Sequence, residues 1–377
     1  MHPKKRRRRS FKKTANIYDV ARKARVSVFT VSAVINNSDQ VSSTLRRRVE
    51  SAVRELNYRP NLVARSLAKR QSHTIGIIVP DIANPFFPLV VRGAEDTAQK
   101  SGYSTLLCNS DNRQDKEEQY LELLLSKRVD GILITKAPGP FTTRQLQMLS
   151  DTEVPFVLMM RTCPGLKTDV VLTDDVQGAF EAVCHLARMG NHKIALVGGP
   201  LNVSNGRARL QGFRKALKSS GLPMLPDLVV EGDYHFDSGY RAGLTLLPRR
   251  PDAVYVANYP MTAGFLKAAN EMGMRCPEHF ALVSFDDYPL MDGFHPRLTT
   301  IDLPKYEVGA EAAEVLLKRI EHKSGPPIIR KLIPRMIVRE SCGFTLRMRR
   351  PVESASGEPL QISEHTSEVQ LTREGTP

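Results

Sequence analysis

Apolar residues near the start of the chain recur at helical spacing. Ile17, Val20, Ala21 and Ala24 fall at positions i, i+3, i+4 and i+7, which places them on one face of a helix. Asn16 precedes this run and has the side chain of a helix N-cap. The pattern predicts a first short helix that buries one face.

Two more helices are predicted directly after it. Ser27 caps a second helix that ends near residue 35, and Val31 and Val34 form its inner face. Residues 36–39 have the composition of a turn, and Ser42 or Ser43 starts a third helix. The third helix has an inward face of Leu45, Val49, Val53 and Leu56, and an outward face of Arg46, Arg47, Arg48 and Arg54. A helix, a tight turn and a second helix, supported by a third, is the helix-turn-helix arrangement.

From residue 73 onwards the pattern changes to short apolar runs that alternate with amphipathic stretches. The runs predicted as strands are 75–80, 104–109, 131–135, 156–160, 170–173, 194–197, 228–230, 253–257 and 280–285. Continuous apolar strands separated by helices are typical of parallel sheets covered on both faces. The predicted fold class is therefore α/β, with a helical head in front of a core of parallel sheets.

The charge of the chain is concentrated in the head. Residues 1–70 carry 19 Lys and Arg against 4 Asp and Glu, whereas the remaining residues carry 35 against 36. A basic head on a neutral body indicates a polyanionic partner for the head alone.

Ordered motifs give the head a specific resemblance. They are NIYDVA at 16–21, VS at 26–27, TVS at 30–32, VIN at 34–36, LNYRPN at 56–61 and VARSL at 63–67. Together they resemble the lac/galactose/purine repressor family of bacterial transcription regulators, over about residues 14–342. The resemblance implies a head with a hinge helix, followed by a two-lobed core of the periplasmic sugar-binding type.

The expected domains follow from the hydrophobic pattern and from the family resemblance. They are a basic arm at 1–13, a helix-turn-helix domain at 14–60, a hinge helix and linker at 61–72, a two-lobed effector-binding and dimerisation core at 73–343, and a polar tail at 344–377. Lobe 1 is expected at about 73–173 and 303–330, and lobe 2 at about 174–302 and 331–343. The arm adds sequence-independent DNA affinity in one interpretation and is a solvated tail in the other.

The resemblance also implies which residues contact DNA. The second helix would lie in the major groove and the hinge in the minor groove, where Leu67 would insert as a wedge. The implied contacts are Tyr18, Ser27, Val28, Phe29, Thr30, Ser32, Ala33, Asn36, Asn61, Ala64 and Leu67. Val28, Phe29 and Ala33 carry no hydrogen-bond donor, so base reading there depends on apolar contact, for example with thymine methyl groups. In the alternative interpretation, Phe29 turns inward as a core residue.

A ligand in such a core sits at the carboxyl ends of the strands. The candidate effector-binding residues that follow strands are Asp81, Arg161, Asp174, Asn258 and Asp286, with Phe86 and Phe87 at the start of the helix after the first strand. The resemblance implies two more, Arg209 at the position of the family's effector-binding arginine and Tyr234 at a position of aromatic stacking. The three aspartates also stand where helix caps would stand. Two positions depart from the family, because Met160 and Tyr259 occur where the family commonly has aspartate. The lack of these two hydroxyl-binding carboxylates weakens the prediction that the effector is a simple hexose.

No motif indicates catalysis. The chain lacks a phosphate-binding Walker loop, a nucleophile elbow and a zinc-protease motif, and its five cysteines form no close pair. We therefore expect no enzyme activity, no cofactor, no metal and no membrane span. Because no secretory signal begins the chain, a cytoplasmic location is expected.

The predicted function is that of a sequence-specific transcription regulator, of the repressor type. A homodimer would bind double-stranded DNA at a pseudo-palindromic operator, under allosteric control by a small molecule such as a sugar or related metabolite. Two alternatives remain open from the sequence. One is control by a partner protein, and the other is a solute-binding protein of the exported type.

Overall fold

A computed structural model describes residues 15–35, 41–58, 71–293, 295–322 and 324–344. The chain forms two compact units, Met1–Thr74 with Ser126–Asp130, and Ile75–Leu125 with Gly131–Pro377. The predictions for the arm, for Asn36, for the hinge residues Asn61, Ala64 and Leu67, and for the tail from residue 345 lie outside the described residues.

The head contains the three expected helices: α1 Ile17–Ala24, α2 Val28–Ile35 and α3 Ser43–Glu55. Asn16 caps α1 in a reciprocal capping box, accepting a bond from the Asp19 backbone N–H while the Asp19 carboxylate accepts one from the Asn16 N–H. Val20, Val31 and Val49, one from each helix, are fully buried together. The predicted inner faces therefore form one small core.

Arg48 has a structural role that the outward pattern of arginines did not predict. Its guanidinium donates hydrogen bonds to the carbonyl oxygens of Ala24 (2.6 Å) and Arg25 (3.1 Å). Arg25 closes α1 in the left-handed conformation, with φ of 53°. Arg48 thus satisfies carbonyls that the end of α1 leaves without intrahelical partners, and it ties α3 to the turn of the helix-turn-helix.

The core begins with a lobe of alternating strands and helices. Its elements are β1 Thr74–Val79, α4 Phe86–Lys100, β2 Ser104–Asn109, α5 Gln114–Ser126, β3 Gly131–Ile134, α6 Thr143–Thr152, β4 Phe156–Met159 and β5 Asp169–Thr173.

The second lobe repeats this alternation. Its elements are α7 Asp175–Arg188, β6 Ile194–Gly198, α8 Ser204–Ser219, β7 Val229–Glu231, α9 Phe236–Leu246, β8 Ala253–Val256, α10 Tyr259–Glu271, β9 Ala281–Phe285 and β10 Thr299–Asp302. Short 3-10 helices occur at Pro226–Leu228, Leu247–Arg249 and Pro289–Gly293. The chain then forms α11 Lys305–Glu321, β11 Ile329–Leu332 and β12 Arg335–Ile337.

Each lobe is built on a six-stranded sheet. The orders are β11-β5-β4-β3-β1-β2 and β12-β10-β9-β8-β6-β7. Neighbouring strands with a defined register run parallel, except that β12 is antiparallel to β10. Helices cover these sheets, which is the α/β architecture expected from the sequence.

The chain passes between the lobes three times. It leaves the first sheet after β5, returns through α11, and passes to the second sheet between β11 and β12. The boundary expected near residue 330 would cut through β11, which pairs with β5 as far as Leu332. The last passage therefore lies at residues 333–334, because the pairing of β11 with β5 continues beyond the expected boundary.

Glycines let α4 and α11 pack at close range in the first lobe. A Cβ atom at Gly93 would overlap the backbone carbonyl of Tyr306, and one at Gly309 would overlap the carbonyl of Val90. The absence of side chains at these two positions therefore allows the two backbones to touch, and it fixes how α11 rejoins the first lobe.

Candidate functional site

The first candidate site is the exposed face of α2 in the head. Phe29 is 80% exposed and Tyr18 of α1 is 65% exposed, whereas Val28 and Ala33 are half-buried. The interpretation of Phe29 as a core residue is therefore wrong, because Val31 and Val34 already fill the inner face of this helix. A large apolar ring on a polar surface is available for contact with a partner.

The start of α2 is fixed by its own polar side chains. The Ser27 hydroxyl accepts a hydrogen bond from the Thr30 N–H (3.1 Å) and lies 2.9 Å from the Thr30 hydroxyl. Ser32, on the same helix, is half-buried. Ser27 and Thr30 thus present hydroxyl groups at a helix N-terminus, where backbone N–H groups and the helix dipole favour an anion such as phosphate.

The second candidate site is a cavity between the lobes of the core. It has a volume of about 540 Å³ including its open mouth. Eight of the nine candidate effector residues line it: Asp81, Phe86, Phe87, Arg161, Arg209, Tyr234, Asn258 and Asp286. Asp81 and Arg161 follow strands of the first lobe, while Asn258 and Asp286 follow strands of the second. The cavity therefore lies at the carboxyl ends of the strands, where α/β folds bind ligands.

Arg209 of α8 forms a rigid part of the cavity wall. Its Nε lies 2.7 Å from Asp175 Oδ1, and each of these side chains is 4% exposed. A further N–H of the guanidinium donates to the Ala257 carbonyl, and the group lies 3.9 Å from the centre of the Phe285 ring. Burial alone would lower the pKa of Arg209, but the Asp175 carboxylate and the other acidic groups around it, Asp286 among them, together raise the pKa above its ordinary value.

Asp286 faces the same cavity with an unsatisfied oxygen. It directly follows β9 with φ of 72°, and its side chain is 3% exposed. Within the described part of the chain, its Oδ1 atom has no hydrogen-bond partner. Burial raises the pKa of the Asp286 carboxyl, against the opposing effect of the Arg209 and Lys305 charges.

Tyr234 and Asn258 form a connected pair on the second lobe. The Asn258 amide donates to the Tyr234 carbonyl (2.8 Å) and accepts from the Met261 N–H (3.1 Å), so it caps α10 while it positions Tyr234. Tyr234 has a left-handed backbone (φ of 71°) and lies under the Arg209 guanidinium, with its ring centre 5.6 Å away. Its buried hydroxyl has no partner among the described residues.

The structure does not place Asp174 in the cavity. Its Oδ1 accepts from the Gln177 N–H (3.0 Å) as the N-cap of α7, and its Oδ2 lies 2.7 Å from Lys331 Nζ. The neighbouring Asp175 points inward instead and pairs with Arg209. The prediction that Asp174 binds an effector is therefore wrong, because cap geometry and an ion pair occupy both of its oxygens.

Several cavity residues were missed by the sequence reasoning. These are Pro80, Asn84, Asn112, Thr135, Met160, Asn205 and His235. Most of them follow β1, β2, β3, β4 or β7, and this position after a strand was the available signal.

Among the helices of the described ranges, none combines the length and the apolar composition that a membrane span requires.

The head and the core therefore combine a three-helix DNA-binding arrangement with a two-lobed fold that encloses a polar cavity, which defines a ligand-responsive DNA-binding protein. Family profiles agree: "Bacterial regulatory proteins, lacI family" matches residues 16–61, and "Periplasmic binding proteins and sugar binding domain of LacI family" matches residues 72–339. The chain belongs to the LacI family of bacterial transcription regulators.

Individual relatives match over nearly their whole length. Catabolite control protein A of Priestia megaterium is 37% identical over 328 residues, which cover 86% of this chain and 98% of that protein. The ribose operon repressor of Escherichia coli K12 is 38% identical over 308 residues, with coverage of 81% and 93%.

A solved structure matches over most of the chain. The lac repressor dimer bound to operator and the anti-inducer ONPF has a TM-score of 0.79 at 28% identity, and the match covers 88% of this chain and 99% of that chain. The function is accordingly that of a DNA-binding transcription regulator and not of an enzyme.

Proposed function

We propose that this chain is a repressor whose affinity for its operator is set by a small hydroxylated molecule bound between the lobes. Four buried polar atoms that line the cavity carry the proposal: Thr135 Oγ1, Arg161 Nε, Tyr234 OH and Asp286 Oδ1. Among the described residues these atoms have no partner. Buried polar groups are normally hydrogen-bonded, so a ligand with matching donors and acceptors would gain their bonds on binding.

The chemistry of the wall favours a polar ligand with an apolar face. The Asp286 carboxylate accepts bonds from hydroxyl groups, and the hydroxyls of Thr135 and Tyr234 both donate and accept. Phe86 and Phe87 offer aromatic surface, with ring centres 5.2 Å apart. A sugar or related metabolite has this combination, and one relative at 38% identity is named a ribose operon repressor.

DNA recognition is assigned to the head. In the described part of the chain the proposed contacts are Tyr18, Ser27, Val28, Phe29, Thr30, Ser32 and Ala33. Asn36, Asn61, Ala64 and Leu67 complete the set on the strength of the family resemblance. The hydroxyls would bond phosphates and fix the register, while Phe29 and its neighbours would contact base edges in the major groove. A regulator of this kind acts in the cytoplasm, where bacterial DNA lies.

Phe29 allows a sharp test of this assignment. Because its side chain is 80% exposed, Phe29→Ala should change the unfolding free energy by no more than about 0.5 kcal/mol. Operator affinity in a gel-shift titration should nevertheless fall more than affinity for unrelated DNA. Val34→Ala is the matched control, since Val34 is buried and its loss should lower stability instead. Equal losses on both DNAs would overturn the base-contact role of Phe29.

Ligand binding is proposed to act through the angle between the lobes. The Thr162 N–H of the first lobe donates to the Ser204 hydroxyl of the second (2.9 Å), so the lobes already meet at the cavity. A bound molecule that changes this contact would alter hinge pairing and operator affinity. A coupling free energy of about 1–3 kcal/mol would change operator affinity roughly 5- to 150-fold.

The control by a small molecule is tested with the operator itself. Genomic footprinting with the native chain gives the operator and the regulated genes, which narrow the choice of metabolite. Candidate metabolites are then titrated against the protein–operator complex, with Asp286→Asn as the binding-site variant. We expect a metabolite to shift operator affinity for the wild type and not for the variant. An identical shift in both proteins would place the ligand elsewhere.

A further inference from the structure

Arg161 is a buried cation without a carboxylate partner. It follows β4 at the cavity wall and is 5% exposed. Its Nη1 donates to two neutral acceptors, Asn112 Oδ1 (2.9 Å) and the Lys136 carbonyl (2.8 Å). Its Nε has no partner, and no ion pair to Arg161 occurs within the described ranges of the chain.

The surrounding charges do not neutralise Arg161. Burial is opposed by Tyr234, which is a neutral phenol at neutral pH, and by the Glu117 carboxylate. The Glu117 carboxylate lies 2.7 Å from Lys136 Nζ and also accepts bonds from the Ala137 N–H and the Gln145 amide. Lys136 and Glu117 are 2% and 1% exposed, so they form a closed buried pair. Burial accordingly lowers the pKa of Arg161 to about 10, which reflects a charge that has lost water without gaining a counterion.

Neither carboxylate of the main cavity, Asp81 or Asp286, forms an ion pair with Arg161 in the described part of the chain. Burial is the largest influence on the pKa of Asp286, and the charges that oppose it are those of Arg209 and Lys305. Asp81 accepts a bond from the Ala83 N–H (2.9 Å). Arg209, the second guanidinium in the wall, already pairs with Asp175. Of the two cavity arginines, Arg161 is therefore the one whose charge remains uncompensated.

A second recess lies on the other side of Arg161, which it shares with the main cavity. It has a volume of about 390 Å³ including its mouth, and its lining includes Lys136, Arg161, Thr162, Ser204 and Arg207. No carboxylate lines it among the described residues. Arg161 belongs to both the cavity and the recess, so an anionic group placed at their junction would meet cations and hydroxyls.

We propose that the effector carries an anionic group, a carboxylate or a phosphate, which binds Arg161 while its hydroxyls bind at Asp286 and Tyr234. This inference rests on the proposed effector cavity and names the chemical class of its ligand. Arginine pairs with both kinds of anion through parallel N–H donors, and the unpartnered Nε is one such donor. Pairing removes the main reason that a buried lone charge is unfavourable.

The test compares matched neutral and anionic sugars on the full-length protein. The probes are ribose with ribose 5-phosphate, and glucose with glucose 6-phosphate and glucuronate. Thermal unfolding detects binding through stabilisation by mass action, and calorimetry gives the dissociation constants. We expect an anionic probe to bind at least about tenfold more tightly than its neutral partner. The phosphate and carboxylate arms show which anion the junction selects.

Variants tie the preference to Arg161. Arg161→Gln should lose about tenfold or more of the affinity for the anionic probe and little of that for the neutral one, and Arg161→Lys should recover part of the loss. Arg214→Gln, an exposed arginine of α8, removes the same charge away from the cavity and should change neither affinity. The melting temperature without ligand checks that Arg161→Gln is folded.

Two results would overturn the anion proposal. One is that no anionic probe binds, and the other is that a neutral sugar binds as tightly as its anionic partner. The proposed function is judged separately, by whether a bound probe changes operator affinity. A neutral sugar that releases or tightens operator binding would therefore leave the function intact and refute the anionic effector alone.

Discussion

Arg209 and Asp286 are oppositely charged side chains in the cavity wall. They differ in how far hydrogen bonds and ion pairs satisfy their buried charges. Arg209 has the Asp175 carboxylate, the Ala257 carbonyl and the Phe285 ring as partners. Asp286 is equally buried, yet its Oδ1 has no partner among the described residues. Residues held in an unfavourable state at a binding site are a common compromise between function and stability.

Asp286→Asn should stabilise the protein without ligand at neutral pH. Burial raises the pKa of Asp286 in the folded state, so folding favours the protonated form, and the stability this provides is lost as pH rises through the folded-state pKa. Asparagine has no charge to bury and tolerates the left-handed backbone at this position.

The measurement for Asp286 is the thermal midpoint of both proteins between pH 4 and pH 8. The two curves should converge at the acid end and separate as pH rises, with the variant more stable by about 1 kcal/mol or more. A gap that stays constant across this range would contradict the role assigned to the carboxylate charge.

Arg209→Met should be strongly destabilising for a different reason. It would leave the Asp175 carboxylate buried with the Thr173 hydroxyl (3.0 Å) as its remaining side-chain partner. Removing one member of a buried ion pair typically costs about 3–5 kcal/mol. The free energy of unfolding in urea measures this loss.

A double-mutant cycle isolates the Arg209–Asp175 pair. Asp175→Asn combined with Arg209→Met should recover much of the lost stability, because no unpaired charge remains. If the single Arg209→Met variant lost less than about 1 kcal/mol, the ion pair would not be the main support of the cavity wall.

At the scale of elements, the packing of α4 against α11 depends on the two glycines where the helix backbones touch. Gly93→Ala would place a Cβ atom against the Tyr306 carbonyl, which belongs to rigid helix backbone. We expect a loss of about 1–3 kcal/mol from overpacking, even though alanine favours helix by itself.

Chemical denaturation of the full chain tests this contact. Gly293→Ala is the matched control, since a Cβ there meets no atom of the described residues within 4 Å, and it should be nearly neutral. If Gly93→Ala and Gly293→Ala had similar free energies of unfolding, α4 and α11 could move apart without a measurable loss of stability.

The elements also show what a sequence can and cannot predict. All nine predicted strands are present with ends within one residue, because most of them are apolar runs that alternate with helices. β10, β11 and β12 were missed, since they are short and the last two mix charged with apolar residues. Alternation with helices therefore reveals the strands of the repeated strand–helix units, including the edge strands β2 and β7, better than the strands at the crossings between lobes.

The cavity was predictable to a similar degree and for a comparable reason. Polar residues that follow strands reach the same edge of a sheet, which correctly brought together Asp81, Arg161, Asn258 and Asp286. The sequence did not show which of two adjacent aspartates, Asp174 or Asp175, turns inward. Asp174 stays outside because it caps α7 and pairs with Lys331, which lies more than 150 positions further along the chain. Partners so distant in sequence leave no local pattern.

At the scale of the whole molecule, function is divided between a basic head and a neutral core. The excess of 19 basic over 4 acidic residues lies within residues 1–70, and the ligand-type cavity lies within the core. Contacts with many phosphates make DNA binding steeply dependent on salt, whereas a small ligand that meets one buried arginine gives a much shallower dependence. Any communication between DNA and ligand must therefore be a coupling of two distinct sites.

Coupling between two binding sites is reciprocal, and this gives a quantitative prediction for the dimer. If an effector changes operator affinity by a given factor, saturating operator must change effector affinity by the same factor. For a coupling of about 1–3 kcal/mol, that factor is roughly 5 to 150. The operator constant is measured with and without effector, and the effector constant with and without operator, all at one salt concentration because the operator constant depends on it.

Equal ratios, both different from one, would show that effector and operator binding are coupled without a change in the number of chains bound. Asp286→Asn provides the control, since it should weaken effector binding while leaving the operator constant without effector close to that of the wild type. Unequal ratios would mean that the effector also changes the number of chains bound per operator, because a shift in assembly adds a second equilibrium to the cycle. The comparison thus distinguishes a lobe movement within a stable dimer from control by association.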